Sequence, residues 1–173
     1  DPLASGFLPV ALGKATKLIP FIEKCDKRYL FTVRWGIKTE TGDSEGKIIK
    51  ECEKYPKRVD IVDALSEFCG NIEQFPHKYS SVKINGQRAH KLARKNMKFQ
   101  LKKRQIKVNN FTLINNISKK LASFFVDCSA GTYVRSLAES LAESLGTLAT
   151  VVELRRIGFK NFNKKLISLD YLL

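Results

Sequence analysis

An α+β fold, with a mixed and largely antiparallel sheet flanked by helices, is predicted by three features of this 173-residue sequence. Runs rich in β-branched and aromatic residues lie next to one another with only a turn between them, which is the arrangement of antiparallel neighbours. Segments with apolar residues at helical spacing are interleaved among those runs. No glycine-rich phosphate loop marks a doubly wound parallel sheet.

Taken in order, residues 11–24 (ALGKATKLIPFIEK) space Ala15, Leu18, Ile19 and Ile22 as on a short helix, with Pro20 at a turn or helix end. KRYLFTVRWG at 27–36 reads as a strand and TGDSEG at 41–46 as the loop after it. IIKECEKY at 48–55 suits a returning strand. VDIVDALSEFCG at 59–70 sets Ile61, Ala64, Leu65 and Phe68 on one helical face, with Gly70 expected as the C-cap. YSSVKINGQRAHKLAR at 79–94 begins as a strand, turns at Asn85-Gly86 and resumes as a helix through Ala89, Leu92 and Ala93. A lysine-dense stretch leads into two β-rich runs, 106–117 and 121–128, with NNISKK as the turn of an antiparallel pair. Thr132 is expected to cap the next helix, whose buried face is Val134, Leu137, Ala138, Leu141 and Leu145 and whose end is Gly146. A last strand at 148–158 completes the sheet.

The balance of 43% hydrophobic and 28% charged residues is that of a globular chain with a real core. No apolar run approaches the roughly 18–20 residues that span a bilayer, and no secretory leader is visible, so the chain is read as cytoplasmic with no membrane partner. Lysine and arginine number 31 against 17 acids, a net charge of +14 that favours a polyanionic partner, nucleic acid before an anionic membrane. Four widely spaced cysteines and two histidines make a poor zinc set, and reduced thiols are expected.

Three places hold residues that packing alone does not demand. Asp1 is a carboxylate followed by the small residues Ala4, Ser5 and Gly6, which permit close approach of a ligand. Tyr29 stands at a strand start among charges. Arg135 falls in the first turn of an amphipathic helix, where a positive charge opposes the helix dipole, so an anion should hold it there. Each also has a plainer reading, as a turn aspartate, a packed strand tyrosine and a surface arginine.

Together these segments resemble the bacterial tRNA pseudouridine synthase B family along nearly the whole chain. The resemblance is carried by DPLASGFLPVALGKATK, CDKRYLF with TETGDSEG, YSSVKINGQRAHKLAR, VDCSAGTYVRSLAESL and LATVVELRRIGF, five blocks in family order. It implies a pseudouridine synthase-like fold that isomerises uridine 55 in the T arm of tRNA by flipping the base out of its stack. It implies Asp1 as the catalytic carboxylate, Tyr29 as the aromatic that stacks on the base, Arg135 as the partner of the aspartate and Leu154 as an apolar wall of the pocket. No metal or organic cofactor is implied. Lys83, Arg88, Arg94, Lys102, Lys103, Arg155 and Arg156 are expected to hold the RNA backbone.

In the family a strand and a histidine precede the aspartate, so residues 1–173 are read as one catalytic domain lacking its N-terminal strand segment, with no C-terminal RNA-binding domain evident. His90 stands where many relatives have tyrosine. A monomer with tRNA as partner and no obligatory protein partner is expected. The alternatives are a non-catalytic RNA-binding or tRNA-folding module and a synthase acting on another RNA.

Overall fold

The structure, a computed structural model, describes residues 2–160. In chain order it contains β1 (Ala4–Gly6), a 3-10 turn (Gly13–Leu18) running into α1 (Ile19–Glu23), β2 (Lys27–Trp35), β3 (Ile37–Thr39) and β4 (Ile48–Glu51). Then come α2 (Arg58–Leu65) with a 3-10 turn (Ser66–Phe68), β5 (Gly70–Gln74), β6 (Lys83–Ile84), β7 (Gln87–Arg88) and α3 (Ala89–Arg94). β8 (Arg104–Ser118), β9 (Leu121–Cys128), α4 (Val134–Ser144) and β10 (Ala149–Phe159) follow.

The predicted α+β class is the observed one. Six strands form one sheet in the order β1-β10-β2-β9-β8-β5, and β3-β4 and β6-β7 form separate two-stranded ribbons. Among the described residues of the large sheet only β1 and β10 run parallel. The alternation of β2 places Phe31, Val33 and Trp35 on the same face as Ala122, Phe124 and Val126 of β9, and all six are buried. Phe31 stacks on Phe124 with ring centroids 5.4 Å apart, and Phe111 of β8 joins them. Two helices, α4 and α2, lie over this face. α4 contributes Val134, Leu137, Ala138 and Leu141, and α2 contributes Ile61 and Leu65. Burying each such large side chain is worth about 1.5–3 kcal/mol.

Several local expectations are corrected. Thr132 does not cap α4; the N-cap is Tyr133, and its backbone is held by Gln74. The Tyr133 N–H donates to Gln74 Oε1 at 2.8 Å and Gln74 Nε2 donates to the Tyr133 carbonyl at 3.0 Å. Gly70 is not a helix C-cap but the first residue of β5, and Phe68 lies in the intervening 3-10 turn. The segment expected as one helix at 11–24 is divided, because Pro20 lacks an N–H and fits only the first turn of α1. Its apolar residues Leu18 and Phe21 are exposed rather than packed.

Two features of this scaffold place the site. A bulge between Val151 and Glu153 resets the alternation of β10, so that Leu154 turns to the same side as Ala149 and Val151. The loop after β3 is tied to that bulge: Val151 N–H donates to the Gly42 carbonyl at 3.1 Å and Ser44 N–H to the Val151 carbonyl at 3.0 Å. Gly42 has φ +72°, and a Cβ there would lie 2.9 Å from His77 Nε2, so glycine alone lets the loop lie against the histidine. Among the described residues no helix is long and apolar enough to cross a membrane.

Candidate active-site cleft

A cleft of about 940 Å³ opens beside the β1 edge of the sheet, between the start of β2, the middle of β10, the loop after β3 and the first turn of α4. Tyr29, Arg135 and Leu154, the three residues expected to form the catalytic pocket that fall within the described structure, all line it. Asp1 lies outside the described residues, but Pro2 and Ala4 to Leu8, the segment that follows it, form one wall.

That wall is held in place by backbone. β1 pairs with β10 so that Ala4 faces Leu154 and Gly6 faces Arg156. Phe7 N–H donates to the Arg156 carbonyl at 2.7 Å, and Arg156 Nε donates to the Phe7 carbonyl at 2.8 Å. Gly6 has φ +95°, and a Cβ there would collide with the Arg156 carbonyl. The Arg156 guanidinium also lies 5.0 Å from the centre of the Phe159 ring. Tyr29 is the cross-strand neighbour of Arg156. Burial pushes the Tyr29 hydroxyl above its ordinary pKa, and the charge of Arg156 and a hydrogen bond from it oppose that rise.

Arg135 is the second residue of α4 and is almost fully enclosed. Nη1 donates to the Thr41 carbonyl at 2.8 Å and to Asp43 Oδ2 at 3.1 Å, and Nη2 donates to the Tyr79 carbonyl at 3.1 Å. The side chains of the Arg135–Asp43 ion pair are only 11% and 4% exposed. Asp43 is thus an anion of the kind the helix dipole calls for opposite Arg135. Its other oxygen, Oδ1, accepts from the Thr41 hydroxyl and from Glu45 N–H at 3.1 Å.

The second segment that holds Arg135 is itself braced. The Tyr79 hydroxyl donates to Glu40 Oε1. Burial first, then Glu40 as acceptor and as charge, push the Tyr79 pKa up to about 12. His77, buried behind it, accepts from Tyr79 N–H on Nδ1 at 3.2 Å and places Nε2 3.8 Å from Glu139 Oε1. For Glu139 burial acts upward, but the hydrogen bond and charge of His77, followed by Lys38 and Arg135, outweigh it and hold the carboxyl below its ordinary range.

The expected RNA-contacting residues divide. Arg94 and Arg156 line the cleft. Lys83 and Arg88 are exposed on the β6-β7 hairpin and Lys102 is exposed ahead of β8. Lys103 is engaged elsewhere, 3.1 Å from Glu73 Oε2 and over the Phe75 ring. Arg155 points to the opposite side of the sheet, beside Leu30 and Ser123. Sequence reasoning did not single out Asp43, Tyr79 or Ser80. The one signal that pointed toward Asp43 was the demand for an anion near Arg135.

Comparison with known proteins places the chain in a family by sequence and fold. A family model for the N-terminal domain of the TruB family of pseudouridylate synthases matches residues 1–134. A tRNA pseudouridine synthase B of Bradyrhizobium diazoefficiens is 43% identical over 173 residues, covering 99% of this chain and 50% of the relative. One from Bartonella henselae is 42% identical, covering 99% of this chain and 54% of the relative. The chain thus spans about half the length of the curated relatives it matches. Among solved structures, a chain in a crystal structure of a Cbf5-Nop10-Gar1 complex superposes with TM-score 0.70 at 27% identity, over 95% of this chain and 40% of that one. A chain in an H/ACA RNP bound to a substrate RNA containing 2′-deoxyuridine gives 0.67 at 26% identity, over 98% and 40%. By sequence and by fold, the chain belongs to the TruB family of pseudouridylate synthases.

Proposed function

We propose that this chain forms the uridine-binding core of a tRNA pseudouridine synthase, which converts uridine 55 in the T arm to pseudouridine. The observation that carries this reading is the convergence of Tyr29, Arg135 and Leu154 on one cleft, from three separate elements. The reaction breaks the bond from N1 of the base to C1′ of the ribose and joins C5 to C1′, so the base must leave its stack and turn while still held.

Tyr29 offers the base an aromatic plate, worth on the order of 1–3 kcal/mol. Leu154 keeps water away from the anomeric carbon. Asp1 supplies the carboxylate, as nucleophile or as the anion beside a sugar cation. Arg135, always charged, favours the ionised form of that carboxylate. Arg94 at the cleft and the exposed Lys83, Arg88 and Lys102 set the register of the RNA backbone.

The test is to incubate this chain with an unmodified T-arm hairpin, digest the RNA and separate the nucleosides by chromatography. A second protein carries the same residues grafted in place of the matching part of the Bradyrhizobium diazoefficiens relative. Pseudouridine is expected, and Arg135→Ala should abolish it. Tight, salt-dependent binding with uridine unchanged by both proteins would overturn the reading in favour of a non-catalytic RNA-binding module.

A further inference from the structure

Among the described residues, three buried side-chain polar atoms have no hydrogen-bond partner: Trp35 Nε1, Ser80 Oγ and Thr132 Oγ1. Trp35 belongs to the core, edge-on to Phe124, and faces no cavity of the cleft. Thr132 lines the cleft but as a residue is only half-buried. Ser80 lines the cleft and is 4% exposed. Its carbonyl is used: it accepts from His90 N–H at 3.0 Å and lies 3.0 Å from His90 Nδ1. Its hydroxyl is idle.

A buried hydroxyl without a partner lowers stability, because it has left water and gained nothing in return. In a cleft, that loss is recovered when a ligand brings a matching polar group. The neighbours of Ser80 narrow what such a group could be. Tyr29 and Leu154 provide a ring face and an apolar wall, which suit the faces of a base but not its edge. Arg135 next door is committed to Thr41, Asp43 and Tyr79. An extruded uracil brings two carbonyl oxygens and one N–H into the desolvated part of the cleft, and these need polar partners there. A serine hydroxyl rotates freely and both donates and accepts, so it can serve either kind of atom. A phosphate, by contrast, would keep its charge toward water and the exposed Arg94.

Resting on the function proposed above, we infer that Ser80 is a base-binding residue whose Oγ hydrogen-bonds the polar edge of the flipped uracil. The test uses the 173-residue chain, Ser80→Ala, and two fluorescent T-arm hairpins, one with the target uridine and one with an abasic site in its place. Anisotropy titrations report affinity without requiring turnover. The wild-type chain should prefer the uridine hairpin. Ser80→Ala should lose about tenfold on that hairpin, equivalent to about 1.4 kcal/mol, and nothing on the abasic one. The free variant should melt at the same or a higher temperature than wild type, since an unpartnered hydroxyl has been removed.

Equal losses on both hairpins, or a lower melting temperature, would overturn the assignment and make Ser80 a structural residue. A wild-type chain that does not distinguish the hairpins would overturn the uridine-binding reading and Ser80's role with it. A wild-type preference that Ser80→Ala retains would overturn the role of Ser80 alone.

Discussion

Arg135 introduces a positive charge into the first turn of α4, where unpaired helix N–H groups already point outward. Two loops converge to make this tolerable, one giving Asp43 and the Thr41 carbonyl, the other the Tyr79 carbonyl. Breaking a buried ion pair by removing one charge costs about 3–5 kcal/mol, because the remaining ion keeps its desolvation penalty. Asp43→Asn should therefore lower the melting temperature in a thermal scan and, by letting the guanidinium shift, slow pseudouridine formation about 100-fold. An unchanged rate would show that Asp43 only supports the fold. At this scale the sequence was half legible. Arg135 stood out because its charge is wrong for its place. Asp43 did not, because it lies 92 residues away in a turn where aspartate is ordinary.

Between elements, the short contact of β1 with β10 matters more than its length suggests. It carries the wall that follows Asp1 past Leu154 and Arg156, and it depends on Gly6, which combines a left-handed φ with a close approach to the Arg156 carbonyl. Gly6→Ala is expected to cost about 1–3 kcal/mol locally. Hydrogen exchange would show this as faster exchange at Phe7 N–H, with protection along β8 and β9 unchanged. Faster exchange throughout would mean that β1 holds the whole sheet together. The long strands and α4 were readable because their periodicity runs over eight residues or more. β1 and β5, with three and five residues, have too little pattern to register. The start of α4 was misread for a related reason. Its stabiliser is Gln74, a side chain from a distant strand, and no local capping rule reaches that far.

The whole molecule carries +14, yet its cations are not equivalent. Neutralising phosphates releases counterions, so affinity for RNA should fall linearly with salt on a log–log plot. Arg94→Ala and Arg88→Ala should each reduce that slope by about one. Lys103→Ala should leave it unchanged, since Lys103 already faces Glu73. An equal effect of all three would show that only total charge matters. The order of the large sheet has a further consequence, in time rather than space. Among the described residues β1 pairs only with β10, about 150 residues later. At about 5–20 residues per second, a ribosome would release β1 many seconds before β10. The basic hairpin of β6 and β7 would emerge in between, so a nascent chain could meet RNA while the cleft still lacked a wall. The cleft is therefore complete only once the strand that carries Leu154 has emerged and paired with β1.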